Sequence, residues 1–169
     1  MANHKNTDGF SLIELIVVIG IIATLLTITT ISFNSWQVRH RVEAQVRGMV
    51  ADFNEVRIRA LTTKQRHSIA LYANSYVFRS YSSEQENLFT GGTTIPGGTH
   101  AVVYKLKKSD ASDYDGVFYE IDQRGANVSN VATIYLEYTG VTPGLNCIKL
   151  HTVRINPGNS ATIGGTCND

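Results

Sequence analysis

Between Leu15 and Phe33 the chain has no charged residue and no proline. Nothing in that stretch breaks a helix or marks a loop. Cysteine is scarce as well. Cys147 and Cys167 are the only two, too few for a multiply bridged scaffold and too far apart for the paired-ligand spacing of a zinc site. A net charge of +1 gives no global field for nucleic acid. No Gly-x-Ser-x-Gly, His-Glu-x-x-His or phosphate-binding loop is present, and His4, His40, His67, His100 and His151 are scattered. No catalytic residue, metal ligand or cofactor is therefore assigned, and an enzyme is not expected.

What is present is a polar leader, Met1 to Gly9, followed by a nearly unbroken apolar run to Phe33. As a helix, Phe10 to Ile31 would extend roughly 33 Å, enough to cross a bilayer core of about 30 Å. Glu14 is the anomaly, because a lone acid at the centre of a membrane helix costs about 2.5–3.5 kcal/mol. Two readings compete for it. Glu14 either lies at headgroup level and favours the positive end of the helix dipole, or it awaits a cation from another subunit. A cut after Gly9 would create such a cation at the amino terminus of Phe10, one turn from Glu14. A secretory signal fits less well, since its shorter apolar core precedes its cleavage site. Lys5 is the only Lys or Arg of the leader, and Asp8 partly offsets it, which is a thin basic flank for orienting a span.

The stretch Gly9-Phe10-Ser11-Leu12-Ile13-Glu14-Leu15 resembles the prepilin signal of type IV pilins and type II secretion pseudopilins. The resemblance implies a prepilin peptidase that cuts between Gly9 and Phe10 and N-methylates Phe10. It also implies that Glu14 serves subunit assembly. Many members of the family carry a proline where this chain has Ile31, so no built-in kink is expected there.

Beyond Trp36, at the place of an interfacial aromatic, Val42, Val46, Met49, Val50, Phe53, Val56 and Ala60 recur in steps of three and four. Arg47, Asp52, Glu55 and Arg59 take the opposite face. The pattern predicts one helix from about Ser11 to Leu61, with its distal stripe buried on the domain that follows. Residues 35–66 carry a surplus of four positive charges, and residues 67–169 a surplus of two negative ones.

From His67 the period becomes two. Strands are expected at Ser68 to Tyr72 and Tyr76 to Tyr81, as a hairpin. Further strands are expected at Ala101 to Leu106, Val117 to Ile121, Ala132 to Tyr138, Cys147 to Ile155 and Ala161 to Ile163. Loops are expected at Ser82 to Gly98 and Lys107 to Asp115, with breaks at Gly125, Pro143-Gly144 and Pro157-Gly158. In an exported domain, Cys147 and Cys167 suggest one disulfide worth about 3 kcal/mol; two unpaired thiols are the alternative. Asp110, Asp113 and Asp115 have a spacing reminiscent of calcium ligands, but the glycine and glutamate of an EF-hand loop are missing, so a solvated acidic loop is expected.

Phe118 to Gly125, Thr133 to Leu136, Cys147 to Leu150 and Val153 to Gly158 resemble the H-type minor pseudopilin and T-type minor pilin group. The expected fold is α+β and pilin-like: one long amino-terminal helix, its first half transmembrane, packed on a carboxyl-terminal antiparallel β domain. The segments are a leader at 1–9, a transmembrane half at 10–33, an amphipathic half at 34–64 and a periplasmic β domain at 65–169. The resemblance implies a minor pseudopilin of the type II secretion pseudopilus, held in the bacterial inner membrane by a single span. The alternative is a minor type IV pilin for pilus assembly, with DNA uptake as a further role. Partners would be other pilin-like subunits in a helical filament, the peptidase, an inner-membrane assembly platform and the membrane. Lys149 and Arg154 are too few cations for a carboxyl-terminal nucleic-acid site.

Overall fold

The computed structural model describes residues 10–129 and 131–169, with the side chains at 28–32 outside that description. Among the described residues one α-helix, α1 (Leu12–Thr63), precedes eight strands. It runs through Ile31 without interruption, as the missing proline allows. Lys64, with φ of 54°, ends it in the left-handed conformation of a helix terminus. The chain divides into two compact units, Met1–Gln37 and Val38–Asp169.

In the second unit the expected stripe is the buried one. Val42, Val46, Met49, Phe53, Val56 and Ala60 are all at most 1% exposed, and Val50 packs against the same core. Two antiparallel sheets supply the rest of that core. The first has the order β3-β2-β1-β5, from β1 (Arg66–Tyr72), β2 (Ser75–Tyr81), β3 (Thr93–Ala101) and β5 (Asp115–Ile121). The second has the order β4-β6-β7-β8, from β4 (Leu106–Lys107), β6 (Ala132–Leu136), β7 (Cys147–Leu150) and β8 (Ile155–Gly158). Ile69, Leu71, Tyr76 and Phe78 of the first sheet and Leu106, Ile134, Leu136, Ile148 and Leu150 of the second join the helix stripe in one cluster.

The β1–β2 hairpin has its expected place, with Tyr72 paired to Ser75 across a two-residue turn. Five expectations fail. Residues 82–98 are not all loop, since β3 starts at Thr93. Pro96 and Gly97 fit within it because β3 is an edge strand whose register shifts between Val77 and Arg79 of β2. The strand expected over Ala101 to Leu106 is instead a link between β3 and β4. Cys147 to Ile155 is a hairpin rather than one strand, closed where His151 N donates to Arg154 O at 2.9 Å. Ala161 to Ile163 is a turn, with Gly165 N donating to Thr162 O at 3.1 Å. Pro157 and Gly158 lie in β8, again an edge strand, and do not separate strands.

Residues 82–92 fold back over the outer face of the first sheet. Glu86 Oε1 accepts from Ser82 N at 2.9 Å and Ser83 N at 3.2 Å, and Oε2 accepts from Gly92 N at 3.0 Å. Tyr81 Oη donates to Leu88 O at 2.7 Å, and Phe89 packs edge-on to Phe118. This cover explains why β1 is buried on both faces, Ser68 and Ala70 included.

Cys147 and Cys167 form a disulfide with a Cα–Cα distance of 6.1 Å, so the free-thiol alternative is excluded. The bond ties the chain's last residues to β7. Cys167→Ser should lower unfolding stability by about 3 kcal/mol, read from urea denaturation under non-reducing conditions. An unchanged midpoint would mean that the tail contributes nothing to the fold.

Candidate functional site

Ser11 starts the helix: its carbonyl accepts from Glu14 N at 3.0 Å and Leu15 N at 3.2 Å. Phe10 precedes it and is 84% exposed. Glu14 stands in the first turn, exposed, where a carboxylate favours the positive end of the helix dipole. Gly9, the expected cleavage position, lies outside the described residues.

From Leu12 to Leu26 the large apolar side chains are exposed on every face of the helix, Val18 least at 47% and Leu12 most at 75%. A helix apolar all round requires an apolar surrounding. The hydroxyls here suit one: Thr24 donates to Ile21 O at 2.8 Å and Thr27 to Ala23 O at 2.9 Å, so neither needs water. Among the described residues no helix is long and apolar enough to cross a membrane. The described apolar side chains of α1, at 12–27, cover about 24 Å along the axis, and the remainder of the expected span falls at 28–32.

Three polar side chains of the distal helix hold loops of the β domain. Gln45 accepts from Val103 N at 3.0 Å and Tyr104 N at 2.8 Å, and donates to Tyr104 O at 2.8 Å. Glu43 accepts from Gly144 N at 2.8 Å. Arg57 Nε donates to Gly125 O at 2.9 Å. Gly125 has φ of 71°, and a Cβ there would stand 3.0 Å from Leu61 Cγ, so the turn requires glycine for conformation and for closeness.

Asp52, expected on the solvated face, is half-buried instead. It accepts from Tyr76 Oη and lies 3.2 Å from His100 Nδ1. The His100 ring stacks on Tyr76 at 4.9 Å and 5°. Burial, and then Asp52, push the Tyr76 hydroxyl pKa up. The trio links α1, β2 and β3. The sequence did carry a signal for it, since Asp52 lies three residues after Met49 and four before Val56 and so borders the apolar stripe.

The acidic loop is occupied by its own contacts. Asp110 accepts from Ser112 N at 3.0 Å and Ser112 Oγ at 2.6 Å, and Lys107 Nζ lies 2.7 Å from Asp113. The Ser112 bonds hold the Asp110 carboxyl below its ordinary value, and Lys107 does the same for Asp113. Asp115 opens β5. Among the described residues no three His, Cys, Asp or Glu side chains are grouped to hold a metal. Of the two carboxyl-terminal cations, Lys149 is paired with Asp169 at 3.0 Å. Asn156 and Lys149 hold the Asp169 carboxyl down to about 2.

Residues 4–30 match the prokaryotic N-terminal methylation motif. That span contains Gly9, Phe10 and Glu14. Neither the curated proteins nor the solved structures give a match to the chain.

Proposed function

We propose that this chain is a minor pseudopilin, a structural subunit of the type II secretion pseudopilus that performs no chemistry of its own. The observation that carries the reading is a methylation motif that leads into an exposed helix, apolar on every face, itself continuous with the helix on which the β domain is built. The peptidase cuts after Gly9 and methylates Phe10. Residues 10–33 hold the subunit in the inner membrane until the assembly platform extracts it into a filament, where the apolar helix packs among those of other pilin-like subunits.

Two features bear on which side the β domain faces, and they disagree. Arg39 and Arg41 follow the apolar run, whereas Lys5 alone precedes it, and that bias favours a cytoplasmic domain. The disulfide favours the oxidising periplasm. We give the disulfide precedence, because a bias of one or two residues only tilts orientation, whereas a reducing cytosol keeps thiols unpaired. DNA capture is disfavoured, since Lys149 is neutralised and Arg154 stands without a cluster of free cations around it.

The intact mass of the chain isolated from host membranes should correspond to a methylated Phe10 start. Gly9→Val, which puts a branched side chain at the scissile bond, should leave it uncut and unmethylated. A variant mass that still begins at Phe10 would overturn the prepilin reading. Deleting the gene should abolish release of secreted enzymes and spare surface pili. The reverse result would assign the chain to a type IV pilus.

A further inference from the structure

His67 is a buried titratable group that the proposed function leaves unused. It is 2% exposed and stands in β1 between Ser80 of β2 and Ile121 of β5. Alternation puts it on the same face as Ile69 and Leu71, which share a core with the stripe of α1. It comes just after the end of that helix. Its Nδ1 lies 2.9 Å from Gln65 O. A carbonyl only accepts, so Nδ1 carries the hydrogen and Nε2 is the atom left to take a proton. His67 lines a cleft of about 190 Å³ between Thr63 of α1 and Thr93 of β3, which gives protons a path to the ring without unfolding.

The charges around His67 favour the neutral ring. From α1, Arg59 opposes a proton there, and Glu55 is engaged by Arg59, whose Nε and Nη2 donate to it at 2.9 and 2.7 Å. From β1 and β2, Arg66, Arg79 and Tyr81 lie on the opposite face of the sheet, where Arg66 is 3.3 Å from Glu120 of β5. Asp122, just beyond β5, accepts from Arg124 N and Ala126 N at 2.9 and 2.7 Å. β3 brings Thr93 and Thr94, whose hydroxyls accept a hydrogen bond and carry no charge. Burial, and to a lesser degree Arg59, hold the His67 pKa below its ordinary value, against the Gln65 bond, which favours the charged ring.

We propose that His67 is an acid-sensitive latch: a proton at Nε2 frees the last turn of α1 from the sheet and weakens the hold of the helix on the β domain. An unfolded chain takes up this proton near the ordinary value of 6.5, and the folded chain only at lower pH. The stability contributed by the neutral ring is therefore complete above about pH 6.5 and is lost progressively below it. The loss is local, because a helix end opens at less cost than a core strand. The latch goes beyond the assembly role and holds whichever filament the chain enters.

Hydrogen exchange of the full chain in detergent, corrected for the intrinsic dependence of exchange on pH, tests the latch. Between about pH 7.5 and about pH 5.5, amide protection should fall over the last turn of α1 and the first half of β1, and should hold in β6 and β7. His67→Gln, which keeps a hydrogen-bond donor and takes no proton, should abolish the difference. His100→Gln should leave it in place. Deuterium exchange at the His67 ring carbon Cε1 follows its titration without any substitution, and its midpoint should lie below that of a free imidazole. An ordinary midpoint would overturn the latch, as would an equal loss of protection in the His67→Gln variant. A loss spread evenly over both sheets would also overturn it, since that is global acid unfolding.

Discussion

Phe53→Ala should lower the stability of the β domain by about 3–5 kcal/mol, a large part of the roughly 5–15 kcal/mol available to a domain of this size. Phe53 is fully buried at the middle of the helix stripe. Its ring meets Tyr76 at 5.4 Å and Phe78 at 6.2 Å, both nearly edge-on. Truncation removes the apolar transfer term and both aromatic contacts. It also opens a cavity that cannot collapse, because the helix above it is held to three loops by Gln45, Glu43 and Arg57. Urea denaturation of the full chain in detergent, followed by near-ultraviolet circular dichroism, should show a lower midpoint with an unchanged slope. A loss below about 1 kcal/mol would mean that the helix lies on the domain without being packed into it.

Phe53 was readable in advance because helical periodicity identifies a buried face without reference to what covers it. Val42 to Ala60 repeat in steps of three and four, and only one side of a helix can hold such a set. Strands at sheet edges were harder to read. Pro96 and Gly97 look like loop residues, yet an edge strand with a shifted register has room for both. The β7–β8 turn at His151 to Arg154 contains neither glycine nor proline, so nothing local separated two strands from one. Asp52 reads as a solvated residue for another reason. Its partners Tyr76 and His100 are 24 and 48 residues away in sequence, and only the β1–β2–β3 pairing brings them to the helix. At the amino terminus the situation is reversed. Glu14 stands out in the sequence by its charge alone, and among the described residues no ion pair with it occurs; in the proposed filament its partner belongs to another molecule.

Glu14→Ala should leave membrane insertion intact and abolish most crosslinking to neighbouring subunits. The substitution makes the span more apolar, so insertion gains about 2.5–3.5 kcal/mol at the bilayer centre and less near an interface. Assembly loses more than that. Two opposite unit charges at 4 Å attract by about 4 kcal/mol at an effective dielectric of 20, against about 1 kcal/mol in water. In the proposed filament the partner is the amino terminus created at Phe10 of an adjacent subunit, so the attraction exists only for one register of two helices. An alanine removes that discrimination and leaves the neighbour's ammonium group uncompensated. Site-specific crosslinking in membranes, at matched expression of wild type and variant, separates insertion from assembly. Equal crosslinking would place Glu14 at headgroup level, where the helix dipole alone accounts for it. Reduced membrane content of the variant would contradict the insertion half of the argument, because removing a charge from an apolar helix cannot make its transfer into lipid less favourable.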